Sequence, residues 1–190
     1  MNAIPDLISL ARPRHWVKNV VVLLPVIFSM HMDQLQDWSR AASATIVFCF
    51  ASSFAYILND LEDRRMDRLH PVKKHRPLAA GRVSAPAANL EAVVLLAIAV
   101  GWAWLLSRLA FAVVAVYIVL QILYSMWLKR KVLIDVLVIS IGFVLRAVCG
   151  AVVIRVAISP WLFICMFTLF LFMGFCKRYN ELATLDAGNH

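Results

Sequence analysis

The stretch LAFAVVAVYIVLQILYSMWL, residues 109–128, runs for twenty positions without a charge. A helix needs about that many apolar residues to cross the hydrocarbon of a bilayer. Similar runs lie on either side of it, at roughly 20–35, 41–58, 87–107, 132–154 and 161–176, which gives about six expected spans. The first is the weakest, because Pro25 interrupts it and His31 and Asp33 lie near its end. These runs are continuously apolar rather than alternating, so the pattern is that of helices and not of a transmembrane β-barrel. The whole chain is 63% hydrophobic, well above the 45–50% or so of an ordinary soluble domain. The expected fold is therefore an all-α polytopic transmembrane helical bundle, one helical membrane domain over residues 1–190.

Charge sets the orientation. Arg12, Arg14, Lys18, Arg64, Arg65, Arg68, Lys73, Lys74, Arg76, Arg82, Lys129, Arg130, Lys131, Lys177 and Arg178 all fall on one side of the six-span arrangement. Arg40, Arg108 and Arg155 fall on the other, and Arg146 lies within a span. Basic loops stay in the cytoplasm, so the N-terminus and the basic loops are expected there, in a multi-pass cell (inner) membrane protein. The net charge of +8 then reflects topology and phosphate handling, and nucleic acid is not expected as a partner. No cleavable signal peptide is evident, since the first apolar run lacks a small-residue cleavage site. The four cysteines form no CxxC pair, so neither a zinc site nor a disulfide framework is indicated.

The second span runs into Asn59-Asp60-Leu61-Glu62-Asp63-Arg64-Arg65-Met66-Asp67. Asp60, Asp63 and Asp67 are spaced i, i+3, i+7 and share one helix face, which Asn59 borders. Carboxylates grouped like this repel one another unless a cation gathers them. Hard oxygen donors without Cys or a well-placed His select Mg2+ or Mn2+. Mg2+ is commonly held by one or two carboxylates together with substrate phosphates. Lys73, Lys74, Arg76 and Arg82 follow at once and suit a phosphorylated ligand. An acidic loop between spans is more often a solvated, topology-setting loop, but the shared face followed by basic residues favours a membrane-embedded enzyme handling a diphosphate. Metal and cations would stabilise the diphosphate as a leaving group, and a nucleophile held nearby would attack the carbon it leaves.

Other groups have plainer readings beside functional ones. Lys129 and Lys131 follow the 109–128 run, where interface anchoring would explain them, and Tyr124 and Trp127 fit an aromatic belt. Asp135 and Arg146 share a helix face about 16 Å apart along the axis. Ionisable groups inside a membrane normally face a bundle interior or a cavity. Gly142 and Gly150 flank Arg146 on that face and suit close helix packing. Asp135, nearer the surface, is the better functional candidate; for Arg146 packing and function weigh equally. Glu91 is assigned no role, and His15 and Trp16 read as part of a membrane-surface segment. In the connection after the acids, Ala79-Ala80-Gly81 suits a tight approach to a ligand or simple loop punctuation.

Together these residues resemble the UbiA superfamily of intramembrane prenyltransferases. NDLEDRRMD at 59–67 fits that family's first motif, NDxxDxxxD, at every defined position. RPRHWVKNVVVLLPVIF at 12–28, HPVKKHRPLAAGRV at 70–83, YSMWLK at 124–129, GFVLRAVCG at 142–150 and KRYNEL at 177–182 are similar to the branch that acts on decaprenyl phosphate. The resemblance implies Mg2+-dependent transfer of 5-phosphoribosyl from phosphoribosyl diphosphate to a polyprenyl phosphate, with release of diphosphate. It implies that Asn59, Asp60, Asp63 and Asp67 hold the metal, with the three aspartates catalytic. It further implies that Lys73, Arg76 and Lys129 contact phosphates, and that Lys177, Arg178 and Glu181 belong to a second motif region. Asp135 joins the substrate-binding set as the candidate chosen above.

Members of the superfamily typically have about nine transmembrane helices, so a chain with about six is expected to be incomplete at its C-terminus. Two alternatives accompany the leading one: a prenyltransferase moving a prenyl chain from its diphosphate to an aromatic acceptor, and an inactive membrane fragment. A transporter would need ionisable residues deep in several spans, and only Arg146 qualifies.

Overall fold

The computed structural model describes residues 3–30 and 32–187. They form α1 (Ala3–Ala11), a 3-10 segment (Pro13–Leu23), α2 (Leu24–Phe28), α3 (Leu35–Leu69), α4 (Ala85–Leu106), α5 (Arg108–Met126), α6 (Val132–Ile154) and α7 (Pro160–Ala187), with short 3-10 turns at Lys73–His75 and Leu128–Arg130. The all-helical expectation holds among the described residues. Five helices, α3 to α7, are long and apolar enough to cross a membrane, so this is a multi-pass membrane protein.

One expectation needs correction. The first span, at 20–35, is not a membrane-length α-helix. In an α-helix the amide of residue 25 would bond to the carbonyl of Val21, but Pro25 has no amide hydrogen. The Leu24 amide takes Val21 O instead, a one-residue-tighter turn that defines a 3-10 helix. The segment nonetheless runs antiparallel along α3. Arg12 meets Asp60 at one end, Trp16 donates to Ser53 Oγ at 2.9 Å, and Asn19 reaches Cys49 and Ser52. At the other end the indole of Trp38 donates to Met32 O. Eleven 3-10 residues and five α-helical ones rise about 30 Å, the thickness of the hydrocarbon core. The distance expected of a span is thus covered, mostly in 3-10 form.

The helical reading of the acidic motif holds: α3 continues without a break for 35 residues, and Asn59 to Asp67 occupy its last turns. Helical spacing therefore fixes the acids on one face.

α3 is the centre of the bundle. Ala41, Ala44, Val47, Phe48, Ala51, Phe54 and Ile57 are buried along it. Against them α4 presents Ala88, Ala92, Ala99 and Ala103, all at or below 6% exposure, a stripe of small residues that brings backbones close. Only Ser107 separates α4 from α5, and its hydroxyl caps α5 by accepting from the Ala110 amide at 2.9 Å. Ser84 caps α4 in the same way. The buried face of α6 closes the bundle, while most of α4, α5 and α7 turns apolar side chains outward, as helices bathed in lipid do.

Gly150 explains how α6 meets the 3-10 segment. A Cβ there would lie 2.0 Å from the Val22 carbonyl oxygen, so only glycine permits the approach. Gly142 is different: a Cβ would meet nothing closer than 3.5 Å, and what matters there is its carbonyl, which accepts from Arg146 Nη1 at 2.8 Å. Arg146 is 7% exposed and also donates to Asn19 Oδ1 and Tyr117 OH at 2.8 and 2.9 Å. The rings of Phe48, Tyr117 and Phe143 surround it. It ties α6, α5 and the 3-10 segment together.

Candidate active site at the end of α3

The motif residues of α3 fall into two pairs, one of two aspartates and one of an asparagine with an aspartate, each closed by one positive nitrogen. Arg76 Nη1 donates to Asp60 Oδ1 at 3.0 Å and to Asp67 Oδ2 at 2.7 Å. Lys129 Nζ donates to Asp63 Oδ1 at 2.6 Å and to Asn59 Oδ1 at 3.1 Å. Asn59 Nδ2 in turn donates to Asp63 Oδ2 at 3.1 Å, and Ser125 Oγ lies 3.3 Å from Asn59 Oδ1. Arg12 adds a third cation, with Nη2 at 2.6 and 2.9 Å from the two oxygens of Asp60. Its backbone is left-handed, φ 53°, which turns the chain from α1 into the 3-10 segment and aims the side chain at α3.

Beside this cluster lies a smaller one. Tyr124 OH donates to Asp135 Oδ1 at 2.6 Å, and Arg178 Nη2 pairs with Asp135 Oδ2. Asp135 is 1% exposed, so this contact joins α5, α6 and α7. The neighbouring residue Ser125 reaches Asn59, which couples the two clusters through consecutive positions of α5. Tyr124 is thus a ligand of Asp135 and not a belt residue alone.

The expected residues therefore separate. Asn59, Asp60, Asp63, Asp67, Arg76 and Lys129 are brought together. Asp135 and Arg178 stand next to them. Lys73 is exposed, and among the described residues its side chain makes no hydrogen bond or ion pair with the acids; its amide donates to His70 Nδ1 and its carbonyl accepts from the Arg76 amide. The side chains of Lys177 and Glu181 lie outside the described residues. Gly81 has φ +76° and a Cβ added there would meet no protein atom within 4 Å, so the turn it makes is what requires glycine. Sequence reasoning left Arg12 and Ser125 out. Arg12 pairs across 48 residues, and nothing local marks the partner. The neighbouring proline and tryptophan in RPRHW were its only signal.

The family model of the UbiA prenyltransferases matches residues 20–184. The chain belongs to the UbiA prenyltransferase family. Within the UbiA family it is 39% identical over 189 residues to the decaprenyl-phosphate phosphoribosyltransferase of Mycolicibacterium smegmatis, covering 95% of this chain and 58% of that protein. It is 35% identical to the protein of the same name from Mycobacterium tuberculosis, over 95% of this chain and 61% of the relative. The chain thus spans about three fifths of the curated relatives it matches. Among solved structures, a UbiA homolog from Archaeoglobus fulgidus bound to GPP and Mg2+ superimposes with a TM-score of 0.71 at 23% identity, over 87% of this chain and 60% of the other. That likeness establishes the UbiA fold.

Among the described residues no three acids, histidines or cysteines converge as a metal cage. What the UbiA motif offers instead is two positions where oxygens from two residues meet on one cation. Both pairs are made of hard donors. Two protein ligands per position leave the others to water and phosphate, which is how Mg2+ is ordinarily held. The donor set therefore fits a divalent cation, with Arg76 and Lys129 standing where positive charge is required.

Proposed function

We propose that the protein transfers 5-phosphoribosyl from phosphoribosyl diphosphate to a polyprenyl phosphate such as decaprenyl phosphate, in a Mg2+-dependent reaction that releases diphosphate. The observation that carries this reading is the pairing of Asp60 with Asp67 and of Asn59 with Asp63 around Arg76 and Lys129. The names of the mycobacterial relatives support the donor and acceptor.

Asn59, Asp60, Asp63 and Asp67 would hold the metal, which supplies charge to stabilise the departing diphosphate. Arg76 and Lys129 then have two uses for one charge. Without ligand they neutralise the carboxylates; with the donor present they turn to its phosphate oxygens, as charge-assisted hydrogen bonds favour. Neither is anchored in a long helix: Arg76 sits in the connection between α3 and α4, and Lys129 in the turn between α5 and α6. Arg12, paired with both oxygens of Asp60, orients that carboxylate. A phosphate oxygen of the acceptor attacks C1 of the ribose, the bond from C1 to the diphosphate oxygen breaks, and its electron pair leaves with diphosphate. Holding the two reactants in line supplies much of the acceleration.

The acceptor's tail has a place to lie. A cleft of about 300 Å³ between α6 and α7 is lined by Ile141, Val144, Leu145, Val148, Phe163 and Phe167, all apolar. That same cleft favours the second reading, in which a prenyl diphosphate is the electrophile and an aromatic compound the acceptor. In either case the acidic end of α3 faces the cytoplasm of a cell (inner) membrane.

The deciding experiment is transfer of label from phosphoribosyl diphosphate to decaprenyl phosphate by membranes containing the chain. Mg2+-dependent transfer that disappears in Asp63→Ala is expected. Transfer from prenyl diphosphate alone would replace the leading reading with the second one, and no transfer from either donor would overturn both.

A further inference from the structure

Beside Asp60 lies a cleft of about 740 Å³, bounded by α1, the start of the 3-10 segment and the connection 72–82; Lys129 does not line it. Four guanidinium groups line it, from Arg12, Arg14, Arg76 and Arg82, with His15 beside them and Asp60 as the one lining carboxylate. Asp60 is shared: it belongs both to this cleft and to the acid pair closed by Arg76. Much of the donor capacity here is uncommitted. Arg12 holds Asp60 through Nη2 alone. Arg82 uses Nε on Asp6 and Nη2 on His75 O. Arg14 is exposed and makes no hydrogen bond or ion pair among the described residues. An exposed, unpaired cation costs little to keep, but four guanidinium groups converging on one concave surface form a planar-donor site suited to an anion with several oxygens.

We propose that this cleft binds the phosphomonoester of a phosphorylated sugar, the end of the donor remote from the bond that breaks. The inference rests on the phosphoribosyl reading and deepens it. A donor carrying diphosphate at one carbon and a phosphate at another needs two anion sites separated by a sugar ring. The structure has two, the carboxylates of α3 with their cations and this cleft, which meet at Asp60 and Arg76. A prenyl diphosphate has no second anionic end, and the guanidinium-lined cleft would offer its apolar tail nothing. Arg14 and Arg82 then select the donor class, while the Asn59–Asp63 and Asp60–Asp67 pairs serve any diphosphate.

The test is binding of ribose 5-phosphate to the purified full chain in detergent, followed by calorimetry. Saturable binding is expected. Arg14→Glu, an exposed change that leaves the fold intact by thermal melt, should weaken it tenfold or more, the loss expected of a charge-assisted hydrogen bond. Asp63→Ala should leave it unchanged, since Asp63 does not line the cleft. Farnesyl phosphate, which carries the same phosphomonoester on a lipid, should not compete. No saturable binding, or equal binding by Arg14→Glu, would overturn the proposal. Competition by farnesyl phosphate would assign the cleft to the lipid headgroup and overturn it as well. Ribose 5-phosphate binding with the expected Arg14 dependence, but no phosphoribosyl transfer, would sink the proposed reaction and leave this site standing.

Discussion

A carboxylate as buried as Asp60, 3% exposed, can stay charged only when the water it has lost is replaced by equally strong donors. Arg12 and Arg76 supply part of that replacement. Removing one partner of such a group leaves an undercompensated buried charge, and fully buried pairs lose about 3–5 kcal/mol this way. Arg12→Ala should cost about 2–3 kcal/mol of stability, less than that range because Arg76 stays in place. The check is thermal or denaturant unfolding in detergent, and an unchanged midpoint would show that Arg12 holds nothing. Glu91 is the opposite case. Its Oε2 is buried without a hydrogen-bond partner among the described residues, and nothing in the proposed chemistry uses it. Glu91→Leu should therefore stabilise the protein by roughly 1–3 kcal/mol, seen as a higher unfolding temperature; a lower one would mean that Glu91 has a partner or a role.

At the scale of elements, the glycine at 150 is the point on which the 3-10 segment and α6 depend. Gly150→Leu must push Val22 and Pro25 away, and overpacking of this kind costs about 1–3 kcal/mol or more. Because Asn19 accepts from Arg146 in the same interface, the displacement should also open that bond. The variant should melt earlier and lose monodispersity in size exclusion, whereas Gly142→Ala, with no neighbour under 3.5 Å, should be mild.

These contacts also mark where sequence reading succeeds and stops. The runs expected at 87–107, 109–128 and 132–154 correspond to α4, α5 and α6 within two residues at each end, because a lipid-facing helix must be continuously apolar. The 161–176 run became the much longer α7, since polar residues from Lys177 onward continue a helix once it leaves the hydrocarbon. The shared face of Asp60, Asp63 and Asp67 was legible from helical spacing alone. The 3-10 form of residues 13–23 was not, as it follows from Pro25 and from packing on α3 and Gly150. Nor was the pairing of Asp60 with Asp67 and of Asn59 with Asp63, which depends on Arg76 and Lys129 arriving from two separate connections.

Over the whole molecule, the basic ends of the helices gather at one pole. Arg65 and Arg68 lie near the end of α3, and Lys129 follows α5; Arg108, at the start of α5, lies at the other pole. If the motif pole is cytoplasmic, a membrane-impermeant maleimide applied to intact cells should label Arg108→Cys and spare Arg65→Cys, in a background carrying Cys165→Ser and Cys176→Ser. The reverse pattern would invert the topology.

The length of α3 has a further consequence. Its apolar stretch, residues 41–58, rises about 27 Å, close to the hydrocarbon thickness of about 30 Å, and the eleven residues from Asn59 to Leu69 add about 16 Å beyond it. The helix is one rigid rod, so the height of its charged end above the acyl chains is set by where the apolar stretch comes to rest. Swelling or thinning the bilayer raises or lowers that end against the lipid surface, at a fraction of a kcal/mol per ångström. In effect the rod is a gauge of membrane thickness. Reconstituted into lipids of increasing acyl-chain length, the protein should show a turnover optimum at a matched thickness, falling off on both sides; a flat profile would mean that the rod tilts or slides freely.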